Sequence, residues 1–88
     1  YPNPFNPSTT IGFRVSGLGS RWVKLSVYDL LGREVAVLVN ENKLPGLYSV
    51  AFDGGRLASG MYFYRLQIDD GNGLDPQFIS TKKMLLMK

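Results

Sequence analysis

Trp22–Val39 reads WVKLSVYDLLGREVAVLV. Apolar and polar residues alternate on either side of a four-residue break. From Trp22 to Tyr28 the alternation places Val23, Leu25 and Val27 on one face and Lys24 and Ser26 on the other, which is the period of a half-buried strand. Asp29-Leu30-Leu31-Gly32 fits a type I turn. An aspartate carboxylate at the first position can accept the turn's own N–H groups, and glycine suits the last position. Asp29 and Gly32 are therefore structural candidates, and a second strand is predicted over Glu34–Val39. An antiparallel hairpin is the simplest element that satisfies this stretch.

Working outward, the same pattern recurs. Thr9, Ile11, Phe13 and Val15 share a face in a strand that ends at the glycine-serine turn Ser16–Arg21. A loop is predicted over Asn40–Pro45, then a strand over Gly46–Phe52 with Tyr48, Val50 and Phe52 aligned. Asp53-Gly54-Gly55-Arg56 reads as a further turn. A strand over Gly60–Asp69 aligns Tyr62, Tyr64, Leu66 and Ile68. Asn72-Gly73 marks a tight turn in the polar loop that follows, and the last strand is predicted from about Phe78 to Lys88, with a bulge. Helical periodicity is nearly absent and no internal repeat stands out. Six to seven short antiparallel strands separated by turn signals predict an all-β, immunoglobulin-like Greek-key sandwich. Leu57, Gly60 and Tyr62 have the spacing of a tyrosine corner, in which a buried tyrosine hydroxyl bonds back to upstream backbone. Gly60 and Tyr62 are expected to be structural.

Composition narrows the functions. Eighty-eight residues make one domain, taken as 1–88, with a small core. A net charge of +3 is too mild for a typical nucleic-acid binder. The longest apolar run, Val35–Val39, is far short of the about 20 residues a membrane helix needs, so no transmembrane segment is expected. Without histidine or cysteine, imidazole bases, thiol nucleophiles and the usual zinc sets are impossible. The seven carboxylates fall mostly at turns. Asp69, Asp70, Asn72 and Asp75 cluster, but Gly73 and Leu74 interrupt the oxygen series a calcium loop requires. No catalytic residue, metal or cofactor is expected.

Three other features invite a binding reading. In Tyr1–Thr9, YPNPFNPST, Pro2, Pro4 and Pro7 cannot donate to a ladder and hold their predecessors extended. Tyr1 and Phe5 are then structural plugs for an open end of the sandwich. Asn6-Pro7-Ser8 is no glycosylation acceptor, because proline fills the middle position. Trp22 and Phe63 lie on outward faces, where aromatics can stack on sugar rings or join an interface. In Lys82–Lys88, KKMLLMK, Met84 and Leu86 share one face and Lys83, Leu85 and Met87 the other. One face must pack on the core, so the other exposes apolar side chains beside lysines. As an edge strand this segment could add to a partner's sheet.

Five pieces occur in order: YPNPFNPSTTI, VKLSVYDLLGREV, PGLYSVAFD, LASGMYFYRL and KKMLLMK. Together they resemble the C-terminal sorting domain of proteins exported by the type IX secretion system of Bacteroidetes-like bacteria. The turn Ser16–Arg21 lacks the Leu-Pro often found there, and the loop Asp69–Phe78 is longer than usual. The resemblance implies a non-catalytic, immunoglobulin-like address label at the end of diverse cargo, and a chain that is a fragment of a larger secreted protein. Cargo would cross the periplasm of a Gram-negative bacterium and become secreted or held at the cell surface. The implied partners are the N-terminal cargo domain, the outer-membrane translocon and a sortase-like cysteine protease. Carried onto this chain, translocon recognition falls on Lys82, Lys83, Met84, Leu85, Leu86, Met87 and Lys88. Two alternatives stand beside it: an accessory carbohydrate-binding module using Trp22 and Phe63, and a structural immunoglobulin-like spacer.

Overall fold

The structure, a computed structural model, describes residues 8–69 and 76–87. Among these residues six strands form: β1 (Ser8–Val15), β2 (Arg21–Tyr28), β3 (Glu34–Lys43), β4 (Gly46–Asp53), β5 (Gly60–Asp69) and β6 (Pro76–Leu86). β1 and β4 pair in a two-stranded sheet, and β3-β2-β5-β6 make a four-stranded one, antiparallel throughout. The chain leaves the larger sheet after β3, pairs β4 with β1, and returns for β5. These sheet orders match the B–E pair and the C′-C-F-G sheet of immunoglobulin sandwiches, so the Greek-key expectation holds.

The core lies between the sheets. Val23, Leu25 and Val27 are fully buried on β2, opposite Ile11, Phe13 and Val15 of β1 and Phe52 of β4. Thr9 shares the parity of Ile11 but is exposed, because it lies near the end of β1. Neighbouring strands are about 5 Å apart, so a two-stranded layer covers roughly half the width of a four-stranded one. Tyr64, Leu66 and Ile68 point inward but stay only half-buried for this reason. Beside them a cleft of about 650 Å³ opens between β1 and β6, lined by Ile11, Phe13, Leu66, Ile68 and Phe78 among others.

The Trp22–Val39 reading is borne out and sharpened. Leu30, Leu31 and Gly32 form a three-residue hairpin loop, closed by Asp29 N–H to Arg33 O (3.0 Å) and Gly32 N–H to Asp29 O (3.0 Å). Gly32 has φ 82°, the left-handed residue that follows a type I turn in such loops. Asp29 Oδ1 accepts from the N–H groups of Leu31 and Arg33 (both 2.9 Å), and Oδ2 from Arg33 Nε (2.7 Å).

Several expectations need correction. Asn40–Lys43 is not a loop but the second half of β3, because Arg21–Lys24 offers it a ladder and Trp22 Nε1 donates to Asn40 Oδ1 (2.8 Å). Ser26 is not solvated: at the centre of the sheet it sits in register between Val37 and Arg65, whose longer side chains close over it. Its hydroxyl approaches the Glu34 carboxylate without making a hydrogen bond of ordinary geometry. The turn after β4 closes as Leu57 N–H to Gly54 O (2.9 Å), one residue later than predicted, with Asp53 Oδ1 accepting from Gly55 N–H (2.9 Å). β6 begins at Pro76, and a bulge lets Ile68 pair with Phe78 and Asp69 with Pro76. Tyr1, Phe5, the Asn72-Gly73 turn, most of the acidic cluster and Lys88 lie outside the described residues.

The tyrosine corner is present. Tyr62 is buried, its hydroxyl donates to Ala58 O (2.7 Å), and Gly60 has φ 154°. A second corner of the same span was not anticipated: Tyr48 donates to Leu44 O, and Gly46 has φ 156°. The signal was available in the sequence, since Pro45-Gly46-Leu47-Tyr48 parallels Ser59-Gly60-Met61-Tyr62.

Candidate recognition surface

β6 is the outer strand of the larger sheet. One edge pairs with β5, and no described strand pairs with the other. Backbone groups on such an edge can pair with a further strand. Alternation divides the side chains as the sequence implied. Leu86 is 4% exposed and Met84 packs against the core, whereas Lys83, Leu85 (60%) and Met87 (66%) face solvent. Lys82 is exposed as well, and no carboxylate occurs between Pro76 and Leu86.

Two features hold this segment in place. Tyr62 pairs with Met84, Met61 with Leu85 and Gly60 with Leu86, so the tyrosine corner that orients the start of β5 also orients the end of β6. Leu86 fills the space above Gly54: a Cβ there would lie 2.7 Å from Leu86 Cδ1 and 3.3 Å from Phe52 Cε2. Gly54 is buried without a side chain because Leu86 occupies the volume one would need.

The outer face of the sheet continues from β6 toward the β2–β3 hairpin. Phe63 is flanked in register by Lys83 on β6 and Tyr28 on β2. Arg65 lies over the Tyr28 ring (4.9 Å to the centroid), and its Nε donates to Thr81 Oγ1 (3.4 Å). Leu30, Phe63, Arg65 and Thr81 share a depression of about 310 Å³. Leu30 and Leu31 themselves are 68% and 77% exposed, an apolar pair that the sequence reading assigned only to the turn.

Trp22 and Phe63 do not come together. Trp22 is 45% exposed, while Phe63 is half-buried opposite Tyr28. Tyr28 lies six positions along β2 from Trp22, about 20 Å at the strand rise, too far for one sugar-stacking platform. Among the described residues, no cluster of carboxylates could hold a metal, and no helix is long and apolar enough to cross a membrane.

Two carboxylates flanking the hairpin are held below their ordinary pKa values. For Asp29, ordinarily near 3.8, the main cause is the Arg33 N–H, followed by the Arg33 guanidinium and the Leu31 N–H. For Glu34, ordinarily near 4.5, it is the Lys24 ammonium (3.2 Å), with Ser26 and Tyr28 adding to it. A carboxylate whose folded pKa is depressed stabilises the fold above its unfolded pKa. That contribution is lost as pH falls through the folded value. The melting temperature should therefore be level near neutrality and decline below about pH 4.5, and Asp29→Asn with Glu34→Gln should flatten the decline. An unchanged pH profile in the double variant would contradict the hairpin charges.

Fold and surface together define an immunoglobulin-like module whose outer, lysine-bearing edge pairs with no described strand. A family model for the secretion system C-terminal sorting domain matches residues 1–80, and the chain belongs to that family. Its members are sorting signals for type IX secretion, directing attached cargo across the outer membrane to the cell surface or beyond. The matched span ends inside β6, at Ser80, before the whole of KKMLLMK. No curated protein and no solved structure matches the chain.

Proposed function

We propose that the export machinery reads this module at Lys82–Lys88, through the outer backbone edge of β6, which no described strand pairs, and its outward side chains. The observation that carries the reading is the division of β6: Leu86 is anchored in the core while Leu85 and Met87 project into solvent beside Lys83. An edge with apolar side chains and flanking lysines suits strand addition. Main-chain bonds supply affinity, alternate side chains supply specificity, and the lysines discourage pairing with other copies.

The reader is an outer-membrane translocon, and a sortase-like cysteine protease acts on the delivered protein. Residues 1–88 act as one sorting unit for a cargo domain on the N-terminal side. The module carries no reaction of its own, a reading supported by the family and by a sequence without histidine or cysteine.

The test uses a reporter protein fused ahead of the module in a bacterium with a type IX system. Leu85→Asp with Met87→Asp changes only exposed positions, where substitutions usually shift stability within about 0.5 kcal/mol. Delivery to the surface should fall at least about tenfold, the two extra charges opposing burial in the reader, and the reporter should accumulate in the periplasm. Deleting Thr81–Lys88 should do the same, but it also removes Leu86 from the core. Undiminished delivery of the double variant would sink the proposal.

A further inference from the structure

We infer that Leu30 and Leu31, at the tip of the β2–β3 hairpin, form a second docking point on the export machinery, inserting into an apolar pocket rimmed by carboxylates. The inference rests on the sorting function and not on the role proposed for β6.

The central positions of a hairpin loop usually carry polar or turn-forming residues. Here both are leucines, and neither is sheltered. The loop around them is tightly tied: two backbone hydrogen bonds close it, and Asp29 adds three more through its carboxylate. A preordered loop loses little conformational freedom when it binds, so more of the burial energy of its two leucines would appear as affinity.

The neighbourhood indicates the partner's chemistry. Leu30 opens onto the depression shared with Phe63, and Met61 and Leu85 follow on the same outward face. The balance of charge around it is positive. Asp29 is paired with Arg33 and Glu34 with Lys24, while among the described residues no carboxylate pairs with Arg65 or with the exposed Lys83. A second copy of this chain would set these cations against themselves across a two-fold contact. A lipid surface would have no counterpart to the concave depression, whereas a protein side chain can fill it. An acidic, apolar protein pocket complements all three features.

The experiment compares reporter fusions of the wild-type module, Leu30→Glu/Leu31→Glu, Leu30→Lys/Leu31→Lys and Leu30→Ser/Leu31→Ser in an export-competent strain. Each purified module is also melted. All four should melt alike, since both positions are exposed. The Glu pair should deliver less than one-tenth of wild type and the Lys and Ser pairs intermediate amounts, the Lys pair more than the Glu pair. Wild-type delivery by the Glu pair would overturn the inference, and equal delivery by the Glu and Lys pairs would overturn the acidic rim. A wild-type dimer in sedimentation that the Glu pair abolishes would assign the surface to a second copy instead. Loss of binding to anionic vesicles with delivery intact would assign it to lipid. If the wild-type fusion itself stays in the periplasm, the sorting function fails, and the inference with it. If wild type is delivered and β6 variants fail while the Glu pair succeeds, only the hairpin inference falls.

Discussion

Leu86→Ala is expected to lower the stability of the isolated module by about 2–5 kcal/mol, the usual cost of emptying a buried leucine site. A domain of this length has only about 4–13 kcal/mol in total, so the variant should sit near the edge of folding. The cost should be toward the upper end because the site cannot collapse easily. Leu86 stands over Gly54, which has no side chain to move inward, and the Phe52 ring is packed beside it. Urea unfolding would give the loss. The geometry also predicts a coupling. Gly54→Ala alone should destabilise by about 1–3 kcal/mol through overpacking, since its Cβ meets Leu86 Cδ1 at 2.7 Å. In the Leu86→Ala background the same methyl enters vacated space, so the double variant should be more stable than the sum of the single losses predicts. Simple additivity would mean that Leu86 does not fill the Gly54 site. The consequence reaches export, because the residue that anchors the end of β6 lies between Leu85 and Met87, the two side chains offered to the reader.

Tyr62→Phe is expected to cost about 1–3 kcal/mol, because it removes the hydroxyl of a buried ring from a partly buried bond to the Ala58 carbonyl. Tyr48→Phe removes the matching bond to Leu44, but Tyr48 is only half-buried and water can take over, so about 0.5–1.5 kcal/mol is expected. The Tyr48 ring should stay where it is, stacked on Phe13 (5.5 Å between centroids) with the Lys43 ammonium 4.9 Å from its centre. Chemical denaturation of the two variants side by side gives the comparison. Equal losses would show that burial does not distinguish the two corners. A negligible loss at Tyr62 would mean that the corner orders neither β5 nor the strand paired with it.

The elements differ in how legible they were. The hairpin at Asp29–Gly32 could be read directly, because turn chemistry is local: one carboxylate, two N–H groups and one left-handed glycine decide it. The corner at Tyr62 was equally legible, and the one at Tyr48 could have been by comparing its Pro-Gly-Leu-Tyr with Ser-Gly-Met-Tyr. The second half of β3 was not. Asn40-Glu41-Asn42-Lys43 has the composition of a loop, and only the facing Arg21–Lys24 makes it a strand. Ser26 lies on the face that alternation assigns it, yet it is buried, for a related reason. Alternation assigns a residue to a face, but whether that face is covered depends on the lengths of side chains on neighbouring strands.

Within the candidate site, the split of KKMLLMK into an anchored and a projecting face followed from strand period alone. The proximity of Leu30 to Phe63 did not, since it depends on β2 and β5 being neighbours with Tyr28 opposite Phe63. Alternation, turn residues and the absence of histidine and cysteine were enough, read from the chain itself, to define an all-β sandwich without imidazole or thiol chemistry. Strand order and register settled the rest: which described strand lies outermost, which leucine of the last strand is buried against Gly54, and which apolar side chains gather on one outer face. The reason is physical. Period and turn chemistry act over a few neighbouring residues, whereas an open edge or a shared surface arises only when distant segments meet.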